Sequence, residues 1–153
     1  MKKRKLELEL EFDEKELLKK GYLKVWMLFE VQSNSYDVTE KALAKHIAAI
    51  KKTYDIYILE ENLTSIDEVE AGAEFKARNI NVLFSQICEI TFMLKNYETL
   101  VDIVINYGPT SVEIIAPEKI TLNMREAQSS LMAVAEMMHK FAAQGIGGIV
   151  IKT

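Results

Sequence analysis

Cysteine is almost absent from this chain, which has a single one, Cys88, and only two histidines, His46 and His139, among its 153 residues. One thiol cannot form an internal disulfide, so the sequence excludes the disulfide-stapled scaffolds of small secreted proteins. A structural zinc site needs about four clustered Cys and His ligands, which this chain cannot supply. We therefore expect neither a disulfide nor a metal site, and no residue pattern calls for a cofactor.

Long hydrophobic runs are also missing. A membrane-spanning helix needs about 20 consecutive apolar residues, whereas the apolar runs here extend over only a few residues. The basic residues 1–5 resemble the start of a signal peptide, but alternating Leu and Glu follow them instead of an apolar stretch. We expect a cytoplasmic protein with no membrane partner.

Positive charge is not in excess, because 19 Lys and Arg face 23 Asp and Glu and the formal net charge is −4. Proteins that bind nucleic acid usually carry the opposite sign, because Lys and Arg neutralise phosphates. The run Lys2-Lys3-Arg4-Lys5 keeps a nucleic-acid accessory protein as an alternative, although four terminal charges are more typical of a solubilising tail.

Apolar residues make up 49% of the chain and charged residues 27%, the ordinary balance of a folded globular protein. No internal repeat, linker or low-complexity tract interrupts it. The composition and length predict one α+β domain over residues 1–153.

Periodicity and capping residues divide the domain into strands and helices. Strict alternation predicts an N-terminal strand over residues 6–12, and a short helix from the Asp13 cap to Gly21 follows it. Further strands are predicted over residues 22–32, 54–59, 84–94, 111–116 and 146–151. Helices are predicted over 37–52, which Asp37 would cap, over 97–107, and over 124–144, the longest. Residues 60–79 fit a helix and a strand equally well.

The order of elements over residues 22–117 is strand, helix, strand, strand, helix, strand. This is the βαββαβ order of a ferredoxin-like fold, an antiparallel sheet with two helices on one face. The predicted fold class is therefore α+β, with a ferredoxin-like core, an additional N-terminal strand and a long C-terminal helix.

Two predicted strands, over residues 22–32 and 84–94, are apolar on both faces. A strand of this kind belongs in a sheet that is covered on both sides, yet the ferredoxin-like arrangement leaves one face open. We expect the long C-terminal helix, a second copy of the chain, or both to cover Trp26, Leu28 and Ile87. This predicts a homodimer or a higher homo-oligomer.

A short resemblance lies within residues 86–140. The segments Glu89-Ile90-Thr91-Phe92, Asn106-Tyr107-Gly108-Pro109 and Val112-Glu113-Ile114-Ile115-Ala116-Pro117, followed by a helix, resemble the C-terminal extension of WYL-type transcriptional regulators. The overall order of elements is similar to ACT-like ligand-sensing domains. Both resemblances imply a regulatory or assembly role, by analogy of fold.

No catalytic residue is predicted. Cys88 lies in a strand among apolar neighbours, and both histidines border helical apolar stripes, positions more typical of packing than of acid–base chemistry. The acidic cluster over residues 60–74 could hold a hard cation, so a small metal-dependent enzyme stays an alternative. Its spacing matches no EF-hand, and a solvated acidic face is the simpler interpretation.

The polar loop Gln32, Ser33, Asn34 and Ser35 is the candidate ligand site. All four side chains can form hydrogen bonds, and a helix begins just after them, which would favour an anionic metabolite. The simpler interpretation is that the loop caps this helix.

Apolar residues also recur at three- and four-residue steps along the last helix, from Met124 to Phe141. We expect this stripe to pack on the sheet. The function predicted from the whole sequence is a non-enzymatic regulatory or assembly domain that self-associates and senses a small metabolite.

Overall fold

A computed structural model describes residues 13–144, which form an antiparallel sheet with helices. The helices are α1 (Glu14–Lys19), α2 (Tyr36–Thr53), α3 (Ala73–Lys76), α4 (Tyr97–Tyr107) and α5 (Met124–Ala143). The strands are β1 (Leu23–Ser33), β2 (Ile56–Leu63), β3 (Asp67–Glu70), β4 (Val82–Leu94) and β5 (Ser111–Ala116). The predicted strands over 6–12 and 146–151 lie outside the described residues.

The strand order is β2-β4-β1-β5, with β3 pairing β4 beyond the end of β2. All pairs are antiparallel, and the two long strands β1 and β4 pair along their whole shared length, from Leu23 opposite Leu94 to Ser33 opposite Phe84. The α+β, ferredoxin-like fold is thereby confirmed: the βαββαβ order is β1, α2, β2, β4, α4 and β5.

The undecided segment 60–79 contains both kinds of structure. β2 ends at Leu63, and a four-residue strand and a one-turn helix, β3 and α3, follow it. The Thr64 N–H donates to the Ile87 carbonyl oxygen at 2.9 Å, so β2 and β3 follow one another along the same side of β4. β3 therefore continues the sheet edge past the end of β2, opposite the first four residues of β4.

The hydrophobic core lies between the sheet and helices α2 and α4. Alternate residues of β1 and β4 point to these helices, and the largest fully buried side chains include Met27 and Phe92. Ile47 and Ile50 of α2 and Ile103 of α4 meet them from the helical side. This face agrees with the two-residue periodicity of the strands and with the apolar stripes of both helices.

Capping residues define the helix ends as short-range sequence signals predicted, with one exception. Asn96 caps α4 by accepting from the Thr99 N–H at 2.9 Å, and Gly108 ends it in the left-handed region at φ 52°. The predicted cap at Asp37 is wrong. Ser35 is the N-cap of α2, and Asp37 lies in the first turn, where its charge favours the helix dipole.

The sheet face away from α2 and α4 is mixed in character. Trp26 of β1 lies between Thr91 and Glu113, and Leu28 lies between Glu89 and Ser111, so polar side chains of the neighbouring strands flank the apolar ones. At one end α1 lies against this face, because Glu14 pairs with Lys24 at 2.6 Å. Trp26, Leu28 and Ile87 are partly buried, and Met93 on the same face is fully buried.

The expectation that the apolar stripe of α5 packs on the sheet is wrong. α5 packs against α4, on the outer side of the helical layer. Arg125 reaches Glu98 at 3.5 Å, and a cleft of about 280 Å³ between α5, α4 and the end of α2 is lined by Tyr54, Asp102 and Ser130. Because α4 already covers the sheet where α5 lies, α5 adds a further layer. Within residues 13–144, no helix is both long and apolar enough to cross a membrane.

Candidate functional site

The serine side chains of the polar loop after β1 form hydrogen bonds at the start of α2. The Ser33 hydroxyl donates to the Ser35 carbonyl oxygen at 2.8 Å and lies 2.7 Å from the hydroxyl of Thr39. Ser35 accepts from the Val38 N–H at 3.3 Å as the N-cap. Both serine hydroxyls therefore hold the turn that begins the helix, and Thr39, fully buried, joins this turn to the sheet.

The other two loop residues point away from that turn. The Gln32 amide donates to Glu30 at 2.6 Å, and Asn34 is exposed. The structure thus brings the four predicted residues into one loop but divides their roles. The serines serve the helix cap, and Gln32 and Asn34 are the polar side chains turned to solvent, so the metabolite site stays a prediction.

The acidic cluster over residues 60–74 is spread along the outer edge of β2 and β3. Glu61 forms an ion pair with Lys51, and Glu70 forms one with Lys76. Within residues 13–144, no group of three or more His, Cys, Asp and Glu side chains could hold a metal ion. The two ion pairs and the exposure of these carboxylates are what a solvated edge requires.

The two described polar groups with perturbed pKa values, Cys88 and Tyr54, lie in or against the packed core. Burial raises the pKa of the Cys88 thiol to about 11, so at neutral pH it stays protonated and a poor nucleophile. Burial and a hydrogen bond to Asp102 raise the pKa of Tyr54 to about 12. Both shifts stabilise the neutral form, the opposite of what an activated nucleophile needs.

One histidine, His46, packs between two helices, and the other, His139, lies at the surface. His46 Nε2 lies 2.7 Å from the Tyr107 carbonyl oxygen at the C-terminus of α4, and its ring packs edge-on against Phe29 and Tyr107. This contact ties α2 to the end of α4. His139 is exposed on α5. Neither lies beside Cys88 or a serine in the hydrogen bonds of the described residues, so no nucleophile–base pair forms there.

The inner face of α5, which meets α4, is made of small residues. Ser129, Ser130 and Ala133 line the cleft against Thr99 and Asp102 of α4. Small side chains let two helices approach closely, but they bury little apolar area. Of the residues of α5, Ala142 alone is buried.

The large apolar residues of α5 point outward. We call Met124, Leu131, Val134, Met138 and Phe141 the outer face of α5; all five are exposed, Met124 at 86% and Leu131 at 71%. Their three-, four- and seven-residue spacing places them on one side of the helix. A helix that turns small residues towards its neighbour and large apolar ones towards solvent is the reverse of an ordinary surface helix.

Exposed apolar residues are concentrated in the last part of the described chain. Of the fifteen large hydrophobic residues that residues 13–144 expose, ten lie between Val112 and Phe141. They include Val112, Ile114 and Ile115 of β5 as well as the outer face of α5. A concentration of exposed large apolar residues marks an interaction site. Sequence periodicity located the stripe on α5 but could not tell which way it faces.

Comparison with known proteins gives a family and no further relative. Residues 24–152 match the MJ0538 family. The chain belongs to that family. No curated protein and no solved structure matches it. The matched range begins in β1 and includes all the elements of the ferredoxin-like core and α5, so the exposed outer face of α5 lies within the segment that defines the family.

Proposed function

We propose that this member of the MJ0538 family is a non-enzymatic regulatory or assembly domain that self-associates through the outer face of α5. One observation carries the proposal: α5 turns its small residues to α4 and its large apolar residues to solvent. Exposing these large apolar side chains to water costs free energy, and a partner surface that covers them removes that cost.

The magnitude of that cost favours a partner. Complete burial of a Leu, Met, Val or Phe side chain contributes about 1.5–3 kcal/mol. The exposed fractions of the five outer-face residues amount to about three whole side chains. Covering them would contribute roughly 4–9 kcal/mol for each chain. Association costs about 4–15 kcal/mol in lost freedom of motion, so two chains that cover each other's outer faces can offset it.

A second copy of the chain is the partner this surface fits best. The outer face of α5 contains no charged residue, so two copies can meet without bringing like charges together. An apolar helical stripe is self-complementary, because ridges of one helix fit grooves of the other. Closed two-fold dimers are also the commonest assembly of soluble proteins.

The regulatory part of the proposal rests on the loop after β1 and on analogy of fold. Gln32 and Asn34 would meet a small metabolite beside the start of α2, where the helix dipole favours an anionic group. The resemblances to the WYL extension and to ACT-like domains would place such a sensor in the cytoplasm, as part of a larger regulatory assembly. Titration with small carboxylates and phosphates, followed by the amide signals of Gln32 and Asn34, tests this part.

Self-association is tested by substituting one residue of the outer face. We expect the wild-type chain to be a dimer at about 100 μM by size exclusion with light scattering. Leu131→Lys places a charge in the centre of the interface, so we expect the dissociation constant to rise by about a hundredfold or more. Because Leu131 is exposed in the single chain, the variant should keep its fold and its circular dichroism spectrum.

The neighbouring Met132 supplies the matched control. It is also exposed, at 53%, but it lies about 100° around the helix from Leu131, outside the stripe. Met132→Lys adds the same charge to the same helix and should leave the dimer intact. A monomeric wild-type chain at this concentration, or an equal loss of the dimer in both variants, would contradict the proposal.

A further inference from the structure

The two edges of the sheet differ in charge. The edge formed by β2 and β3 is lined by exposed carboxylates at Glu60, Glu61, Asp67, Glu68 and Glu70. Inward- or outward-pointing charges on an edge strand prevent it from pairing with another chain. Two copies of this acidic edge would repel each other.

The opposite edge, β5, has no such protection. Of its six residues only Glu113 is charged, and Val112, Ile114 and Ile115 are exposed. β1 pairs with one side of β5, and no strand within residues 13–144 pairs with its other side. An exposed, mostly apolar edge strand with a single charge and no Pro within it is a template for strand addition.

The outer face of α5 is too small to form a standard interface alone. α5 has 20 residues, so it is about 30 Å long and about 10 Å wide, and its footprint is on the order of 300 Å². Stable dimers usually bury about 800 Å² on each partner. β5 is the next exposed apolar element, and Ile120 and Met124, both exposed, continue the apolar surface along the chain that joins it to α5.

We propose that two copies of this chain also pair along β5, antiparallel to each other, so that their sheets join into one continuous sheet. This inference rests on the self-association proposed above and names the second surface that takes part in it. The partner is a second copy because β5 is compatible with itself: an antiparallel register that is offset from Glu113 places each carboxylate opposite an apolar residue or Ser111.

Hydrogen exchange at two protein concentrations tests the pairing. The outward-facing amides of β5 bond to water in a single chain and to the partner's carbonyl groups in a joined sheet. We expect their exchange to slow by about tenfold or more as the concentration rises from monomer to dimer, in step with the dimer fraction from light scattering. The amides of β3 on the acidic edge serve as the internal reference and should not change.

Two substitutions on opposite edges sharpen the test. Ile115→Lys places a charge on the apolar edge, and Leu63→Lys places one on the acidic edge, at a side chain of almost equal exposure, 46% against 48%. We expect Ile115→Lys to weaken the dimer by about tenfold or more and Leu63→Lys to leave it unchanged.

The outcomes separate this inference from the proposed function. A dimer whose β5 amides exchange freely, or are equally protected at every concentration because residues 146–151 of the same chain cover the edge, would overturn β5 pairing and leave assembly through α5 standing. Equal effects of both lysine variants would also overturn it. A chain that never dimerises would overturn the proposed function together with this inference.

Discussion

The large apolar side chains are mainly buried in residues 23–107 and mainly exposed in residues 111–143. In the first region Val25, Met27, Phe92 and Ile103 are withdrawn completely from water. In the second, Leu131 and its neighbours on α5 are exposed, and so is most of β5. Both regions show the same helical and strand periodicities, so periodicity identifies an apolar face without saying what covers it.

The difference follows from the place of each element in the layers. β1 and β4 pair in the middle of the sheet, and α2 and α4 cover one of its faces, which completes a core within a single chain. β5 and α5 are added at the margin, β5 as an edge strand and α5 on the back of α4. Elements at the margin keep an apolar surface that a second chain can cover.

The largest effect expected from this comparison is on stability. Ile103→Ala removes a fully buried side chain from the core and should lower the free energy of unfolding by about 2–5 kcal/mol. Leu131→Ala removes an apolar side chain of similar size that is exposed, so in a monomeric sample it should change that free energy by less than about 0.5 kcal/mol. Urea unfolding at a protein concentration low enough to keep the chain monomeric measures both changes. Similar losses of stability in the two variants would contradict the comparison.

A smaller effect is expected from the helix caps. Asn96 and Asn123 each accept from a backbone N–H three residues on, at 2.9 and 2.8 Å. Asn96→Ala should lower the free energy of global unfolding by about 1 kcal/mol, because α4 is part of the core. Asn123→Ala should mainly accelerate hydrogen exchange in the first turn of α5, which can fray without opening the core. An equal loss of global stability in Asn123→Ala and Asn96→Ala would contradict this prediction.

The smallest effect is confined to high pH. The pKa of Tyr54 is raised to about 12 in the folded chain, against about 10 in an unfolded one. The folded state thus holds the phenol proton more tightly, and this contribution to stability is present below about pH 10 and is lost as the pH rises towards 12. The stability difference between wild type and Tyr54→Phe should therefore be constant below pH 10 and shrink above it, as followed by urea unfolding. A difference that does not change up to pH 12 would show that folding does not raise the pKa of Tyr54.

Short-range signals in the sequence predicted local structure well. The bounds of α4 and β5 are those that the Asn96 cap, Gly108 and Pro117 predict. The N-cap of α2 was misplaced by two residues, because Ser35 and Asp37 both suit an N-cap and only the geometry of the turn with Ser33 and Thr39 selects one. Periodicity could not assign segment 60–79, because the end of β2, the short strand β3 and the one-turn helix α3 all lie within these twenty residues.

The candidate sites were harder to predict than the fold. The loop at Gln32–Ser35 was located, but its serines cap α2. The outer face of α5 was recognised as an apolar stripe and assigned to the wrong partner, because which side of a helix meets its neighbour depends on residues far away in the chain. The small residues Ser129, Ser130 and Ala133 were the signal that could have shown it.

Secondary structure, the ferredoxin-like order of elements and the positions of the apolar faces follow from the sequence alone, because each depends on neighbours a few residues apart. Tertiary structure alone decided that α5 rests on α4, that the two sheet edges differ in charge, and that polar residues of the neighbouring strands flank Trp26 and Leu28. Those features arise when distant segments are brought into register, and a one-residue shift in pairing would reverse the side to which every strand side chain points.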